Sequence, residues 1–396
     1  MMIPRFPHTQ CSRVLAAHTP AIITGALDDW HCASCWTPDA IVQHCPQRPV
    51  VVSRSPTMQF NYSDATAMAS QQSGIYTQTT MGFADAVEAV LAAGETEHLY
   101  IMQQSVETVC PELLDHIAIP QWLAAEDPAI HFWIGKQTTT PLHFDFTENL
   151  FAQVHGSKRF ILFSPQDTDS LYPFSLAAAM PHLSHVDASA PDLTRFPAFA
   201  KAMALEADLQ AGDVLYLPPF WWHQVIAPAF SISVNFWCKP SLAAIFAAPN
   251  AERALINFYR DDQLKGLQSF YLQPQGMGLL DLAHLLLLQQ RLWAATLLLC
   301  AAFEESARAA FGSVQSVQGA NLADLPQRMT AISQQFFATA LLTPALQRQL
   351  LLFPQCAQAV VTPDGRTRLT MAMAQTGLAV MAQVQEAVCA MAAAES

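Results

Sequence analysis

Between Pro128 and Trp237 the sequence is cut into short runs rich in Val, Ile, Phe and Tyr, separated by Gly, Pro and Asp. The runs are Ile130 to Ile134, Leu142 to Phe146, Leu150 to Val154, Arg159 to Phe163, Val214 to Leu217 and Ser231 to Phe236. Many short strands at this spacing argue for a sandwich or a barrel. The first third reads differently, with strands at Ala21 to Ile23 and Val50 to Ser53 and helical periodicity over Phe83 to Ala93. Beyond Pro240 the composition turns to Ala, Leu and Gln, with helical stretches such as Leu279 to Phe311 and Leu325 to Leu342. A chain of 396 residues exceeds what one hydrophobic core usually serves, so residues 1–240 read as one domain and 241–396 as an all-helical module.

Net charge is -13, with 32 Asp and Glu against 19 Lys and Arg, so a phosphate backbone meets repulsion over most of the surface. Nucleic acid is thereby disfavoured, and a polypeptide or small molecule fits better. Met1 to Cys11 carries no apolar core of signal-peptide length, which makes the cytoplasm the expected location. The most apolar stretch, Leu279 to Phe303, is interrupted by Asp281, His284, Gln289, Gln290 and Arg291, which a bilayer-spanning helix would not carry together. The nine cysteines include a single close pair, Cys32-Ala-Ser-Cys35, followed by His44 and Cys45. A zinc site would want a second pair at finger-like spacing, so these read as ordinary thiols.

His143 and Asp145 stand two apart in Thr140-Pro-Leu-His-Phe-Asp-Phe, and on a strand such residues face the same side. His223 follows the strand Asp213-Val-Leu-Tyr-Leu and a Pro-rich turn that can deliver its imidazole to the same point. Two imidazoles and one carboxylate leave other metal positions open, the arrangement associated with non-haem Fe(II) oxygenases, where O2 and a co-substrate bind. A second signal is independent of these three. Lys158 begins a strand whose Phe160 and Leu162 share its face, so its ammonium points among apolar neighbours and needs a charge partner. The far carboxylate of 2-oxoglutarate supplies one, with hydroxyls from Thr140 and Tyr100 as added donors. Asn149 and Asn235, in otherwise apolar strands, are candidates for the carboxylate nearer the metal or for an ordered water. Phe144, Phe146, Trp221, Trp222 and Trp237 are expected to line or support the pocket. The histidines outside the triad, including His31, His44, His116, His131 and His182, are set aside.

Over roughly the first 240 residues the sequence resembles the JmjC family, in particular the small hydroxylase branch around factor-inhibiting HIF. The densest agreement is in Thr140-Pro-Leu-His-Phe-Asp, in the run from Asn149 through Lys158 to Pro165, in Leu171-Tyr-Pro-Phe, and in Gly212 to His223. The resemblance implies a double-stranded β-helix of the jelly-roll type over about 128–240, with an N-terminal α/β extension. It also implies iron on His143, Asp145 and His223, and 2-oxoglutarate on Lys158, Thr140 and Tyr100. A homodimer through the C-terminal helices is a further implication. Hydroxylation of a protein side chain is the leading function. N-methyl-lysine demethylation and hydroxylation of a small molecule or nucleoside use the same site, while a non-catalytic metal-binding scaffold or a zinc hydrolase would leave Lys158 without a purpose.

Overall fold

The computed structural model describes residues 1–253 apart from 32–35, 45–46, 65–74, 95, 119–126, 175–177, 179, 241–243, 246–247 and 252. The helical tail expected over 241–396 therefore lies almost wholly outside the described residues, as do Cys32, Cys35 and Cys45.

Thirteen strands run through the described residues: β1 (Arg5–Pro7), β2 (Ala21–Thr24), β3 (Pro49–Ser55), β4 (Thr77–Gly82), β5 (His98–Ser105), β6 (Ala129–Gly135), β7 (Thr138–Phe144), β8 (Glu148–His155), β9 (Ser157–Phe163), β10 (Leu205–Gln210), β11 (Val214–Leu217), β12 (Trp222–Ala227) and β13 (Ser231–Cys238). They form a nine-stranded sheet in the order β1-β2-β11-β8-β13-β6-β5-β3-β4 and a four-stranded sheet in the order β10-β9-β12-β7. Strands adjacent in sequence are often placed in different sheets, as a jelly-roll core requires.

Period-two alternation decides what each strand faces. On β6, Ile130, Phe132 and Ile134 are buried in one apolar cluster, together with Val234 and Phe236 of β13, Trp30, Trp36 and Phe83. That cluster lies between the large sheet and the N-terminal helices, including Phe83–Ala92. The second cluster lies between the sheets, where Phe151 of β8 and Leu215 and Leu217 of β11 meet Phe160 and Leu162 of β9, Leu209 of β10 and Val225 of β12. Each fully buried aromatic or branched side chain of this kind contributes about 1.5–3 kcal/mol.

Within residues 128–240 two strands went unread in the sequence. The edge strand β10 alternates apolar and polar residues in Leu205-Glu-Ala-Asp-Leu-Gln, and β12 begins at Trp222. His223 is accordingly a strand residue, not part of the proline-rich turn. The turn joining β8 to β9 depends on Gly156, whose φ is +70° and where a Cβ would come within 2.3 Å of the Phe230 carbonyl oxygen. It sets Lys158 two residues into β9 on the inward side. Cys11 and Cys238 carry thiols, whereas Cys110 is disulfide-bonded. No helix among the described residues is long and apolar enough to cross a membrane.

Candidate metal centre

β12 and β7 are antiparallel neighbours, and their register sets His223 directly across from His143. The ladder is then irregular, two residues of β7, Pro141 and Leu142, standing opposite the single Gln224 before Val225 pairs with Thr140. Such an extra residue twists the strand locally and re-aims the side chain beside it. The two imidazoles lie with ring centroids 4.2 Å apart. Asp145 follows just after β7, its backbone carbonyl accepting from the Phe220 amide at 2.8 Å, which fixes the start of the turn. One carboxylate oxygen lies 3.9 Å from His143 Nε2 and the other 3.8 Å from His223 Nε2. Among the described residues these three form the one group of His, Cys, Asp or Glu side chains whose ligand atoms all fall within 4.8 Å of one another.

The ring orientations are fixed from behind. His143 Nδ1 lies 2.7 Å from the Pro141 carbonyl and His223 Nδ1 3.0 Å from the Trp221 carbonyl. A carbonyl can only accept, so Nδ1 carries the proton in both rings and Nε2 presents its lone pair to the centre. Metal-ligating histidines are held in this way. Burial, with His143 and His182 adding to it, lowers the pKa of His223 well below the ordinary histidine value, against the pull of the Trp221 carbonyl. Burial raises the pKa of Asp145, opposed by His143 and the Trp237 indole. Both shifts have burial as their first cause, which disfavours the charged form of each donor.

Lys158 supplies the second observation. It is 2% exposed, and among the described residues its Nζ has no hydrogen-bond partner. Ring faces meet the ammonium, Phe151 at 5.0 Å and Tyr100 at 5.7 Å. Burial lowers its pKa to about 7. Tyr100 is buried, its pKa is raised by that burial, and its hydroxyl is hydrogen-bonded to Thr140. Gly135 makes room for the phenol, since a Cβ there would lie 2.7 Å from Tyr100 Cδ2. Asn149 and Asn235 are both buried, Asn235 Nδ2 donating to Asn149 Oδ1 at 3.4 Å and Asn235 Oδ1 accepting from the Trp133 indole at 2.7 Å.

The aromatics expected to line or support the pocket divide between the two roles. Phe144 and Trp222 are fully buried against each other, ring centroids 4.8 Å apart, and Trp222 donates to the Thr168 hydroxyl. Alternation explains it: with His143 and His223 turned inward, their neighbours must turn outward. Trp237 does border the site, its ring 4.9 Å from His131 and 6.3 Å from Trp133. His131 and Trp133 were missed, although they are the inward half of the β6 alternation. His182 was also set aside, yet it is close enough to oppose protonation of His223 and packs 5.3 Å from Phe146.

A family model described as a cupin-like domain matches residues 7–243. Lysine-specific demethylase 8 of Xenopus tropicalis is 31% identical over 231 residues, covering 56% of this chain and 48% of that protein. The human bifunctional peptidase and (3S)-lysyl hydroxylase JMJD7 is 28% identical over 248 residues, 49% of this chain and 78% of that protein. Human tRNA wybutosine-synthesizing protein 5 is 44% identical over 96 residues, covering 24% of this chain and 29% of that protein. The chain spans about half or less of the length of the first curated relatives it matches. These matches reach the JmjC family and do not single out the factor-inhibiting HIF branch.

Proposed function

Because this chain belongs to the cupin-like family of the JmjC type, whose cofactors are Fe(II) and 2-oxoglutarate, we propose that it is an oxygenase that hydroxylates a protein side chain. The observation that carries the reading is the buried, unpartnered Lys158 ammonium in the same barrel as two imidazoles and a carboxylate. A metal-binding scaffold has no use for an isolated buried cation, and neither has a hydrolase. A dicarboxylate co-substrate does.

The donor set fits iron: two neutral imidazole nitrogens and one carboxylate, with the remaining positions left to other ligands. His143, Asp145 and His223 would hold the metal. Lys158 would pair with the far carboxylate of 2-oxoglutarate, with Thr140 and Tyr100 donating to the same group. Asn149 and Asn235, tied to each other and to Trp133, would present amide groups toward the nearer carboxylate or a bound water. Together, iron and 2-oxoglutarate supply the activation of O2, the keto acid leaving as succinate and CO2 while one oxygen atom goes to the substrate. The protein's share is orientation and exclusion of water. The carbonyls of Pro141 and Trp221 hold the imidazoles in one tautomer. Phe151 and Phe160, packed 5.1 Å apart beside Lys158, keep the ammonium dry, which strengthens its attraction for an anion.

The relative named as a lysyl hydroxylase, matched over 78% of its length, favours hydroxylation of a polypeptide. The relative named as a lysine-specific demethylase favours attack on an N-methyl group with the same machinery. Incubation with Fe(II), 2-oxoglutarate and a panel of basic peptides, read by mass spectrometry, separates them. A gain of one oxygen supports the proposal; loss of a methyl group with release of formaldehyde replaces it with demethylation. Residues 1–240 would be the oxygenase domain, and 241–396 a dimerisation module in the cytoplasmic protein.

A further inference from the structure

The fold joins three histidines far apart in sequence on a surface remote in chemistry from the barrel centre. His31 follows the buried Trp30, and His44 ends the turn after the short helix Pro38–Ile41, whose N-terminus is capped by the Thr37 hydroxyl. His116 closes the 3-10 helix Pro111–His116. The ring of His116 meets His44 with centroids 4.4 Å apart and His31 at 4.9 Å, both nearly edge to face. Beneath them Trp36, Ile41 and Leu113 are buried in the apolar cluster, so the platform is rigid while His31 and His44 stand at the surface.

His116 packs against both other rings, and like charges at such separations repel, which disfavours its protonated form. Burial lowers the pKa of His116, with His44 and His31 adding to the shift and Asp115 opposing it. Neutral imidazole is the form that ligates metals. The sequence adds a second sign, for Cys32 directly follows His31 and Cys45 directly follows His44.

We propose that His31, His44 and His116 form a second metal site, for zinc or a divalent ion of similar softness, separate from the barrel centre. The rings do not yet aim their nitrogens at one point, so loading turns His31 and His44 at the surface. Trp36 sets the affinity. Its indole donates to His116 Nδ1 at 3.1 Å. A metal at Nδ1 displaces that bond, and a metal at Nε2 requires the proton to move to Nδ1, where it faces the indole N–H. Either way the indole competes with the cation.

The test uses the full chain carrying His143→Ala and Asp145→Ala, which leaves His223 as the last of the three barrel ligands and makes the result independent of the oxygenase reading. After chelation the protein is dialysed against buffered Zn(II), and zinc per chain is measured by mass spectrometry of the element. One zinc per chain is expected. Adding His44→Ala or His116→Ala should weaken binding beyond the roughly 10–100-fold typical of residues that only support a ligand. His44 is exposed, so circular dichroism should be unchanged in that variant. Trp36→Phe keeps an aromatic ring in the core and should tighten binding. No retained zinc in the starting variant, or retention unaffected by His44→Ala and His116→Ala, would overturn the proposal. Unchanged affinity in Trp36→Phe would remove His116 from the site and the proposal with it.

Discussion

Replacing Lys158 by Met should make the protein more stable and less able to bind 2-oxoglutarate at the same time. The side chain lengths are similar, so the change removes a charge and leaves the packing against Phe151 and Tyr100 in place. In the folded chain burial holds the lysine at about 7 instead of 10.5. At 1.36 kcal/mol for each pH unit, that displacement costs the fold on the order of 5 kcal/mol. The unfolded chain keeps its charge up to about pH 10.5, so the cost is fully present at and below pH 7 and shrinks as pH rises toward 10.5. Recovering even about half of it should raise Tm by roughly 5–10 °C at pH 7, at some 2–4 °C per kcal/mol. The gain of the variant over wild type should narrow at pH 9. Differential scanning fluorimetry without metal or 2-oxoglutarate checks both points, and succinate formation gives the co-substrate KM. Wild type should also take up close to one proton on binding 2-oxoglutarate at pH 8, seen as a dependence of the calorimetric enthalpy on buffer. A lower Tm for Lys158→Met, or an unaltered KM, would refute the reasoning, because either means the ammonium already has a partner.

Other outcomes follow from the same geometry. His143→Ala and Asp145→Ala should each abolish succinate formation, yet Asp145→Ala should leave Tm without metal equal or higher, since it removes a desolvated carboxylate. Gly135→Ala would push a methyl to within 2.7 Å of Tyr100 Cδ2. It should cost about 1–3 kcal/mol of stability and raise the KM for 2-oxoglutarate more than it lowers kcat. Light scattering of the full chain should give a dimer mass; a monomer at micromolar concentration would contradict the role proposed for residues 241–396.

Much of this was legible in the sequence because the jelly roll writes itself as alternation. His143 and Asp145 share a face by the period of two, and Lys158 could be aimed inward from Phe160 and Leu162. Where alternation was masked, the reading failed. Ile130 to Ile134 looks like one apolar run, and the inward His131 and Trp133 are hidden in it because aromatic and aliphatic residues are both apolar. The start of β12 was read as part of a proline-rich turn, which hid the strand period that turns Trp222 outward. The irregularity of β7 at Pro141 and Leu142, opposite Gln224, could not be placed because the partner strand β12 went unread, although a proline inside a strand pattern is itself a sign of one. The His31, His44 and His116 cluster was invisible for a different reason. It depends on contacts across more than seventy residues, which no local pattern encodes.

The claim that three side chains and one lysine make an iron and 2-oxoglutarate site is tested most directly under anaerobic conditions. Fe(II) and 2-oxoglutarate are added together to the purified chain and the visible spectrum is recorded. A metal-to-ligand charge-transfer band should form in wild type, vanish in Asp145→Ala and require far more 2-oxoglutarate in Lys158→Met. Wild-type protein that binds Fe(II) yet shows no such band at saturating 2-oxoglutarate would contradict it.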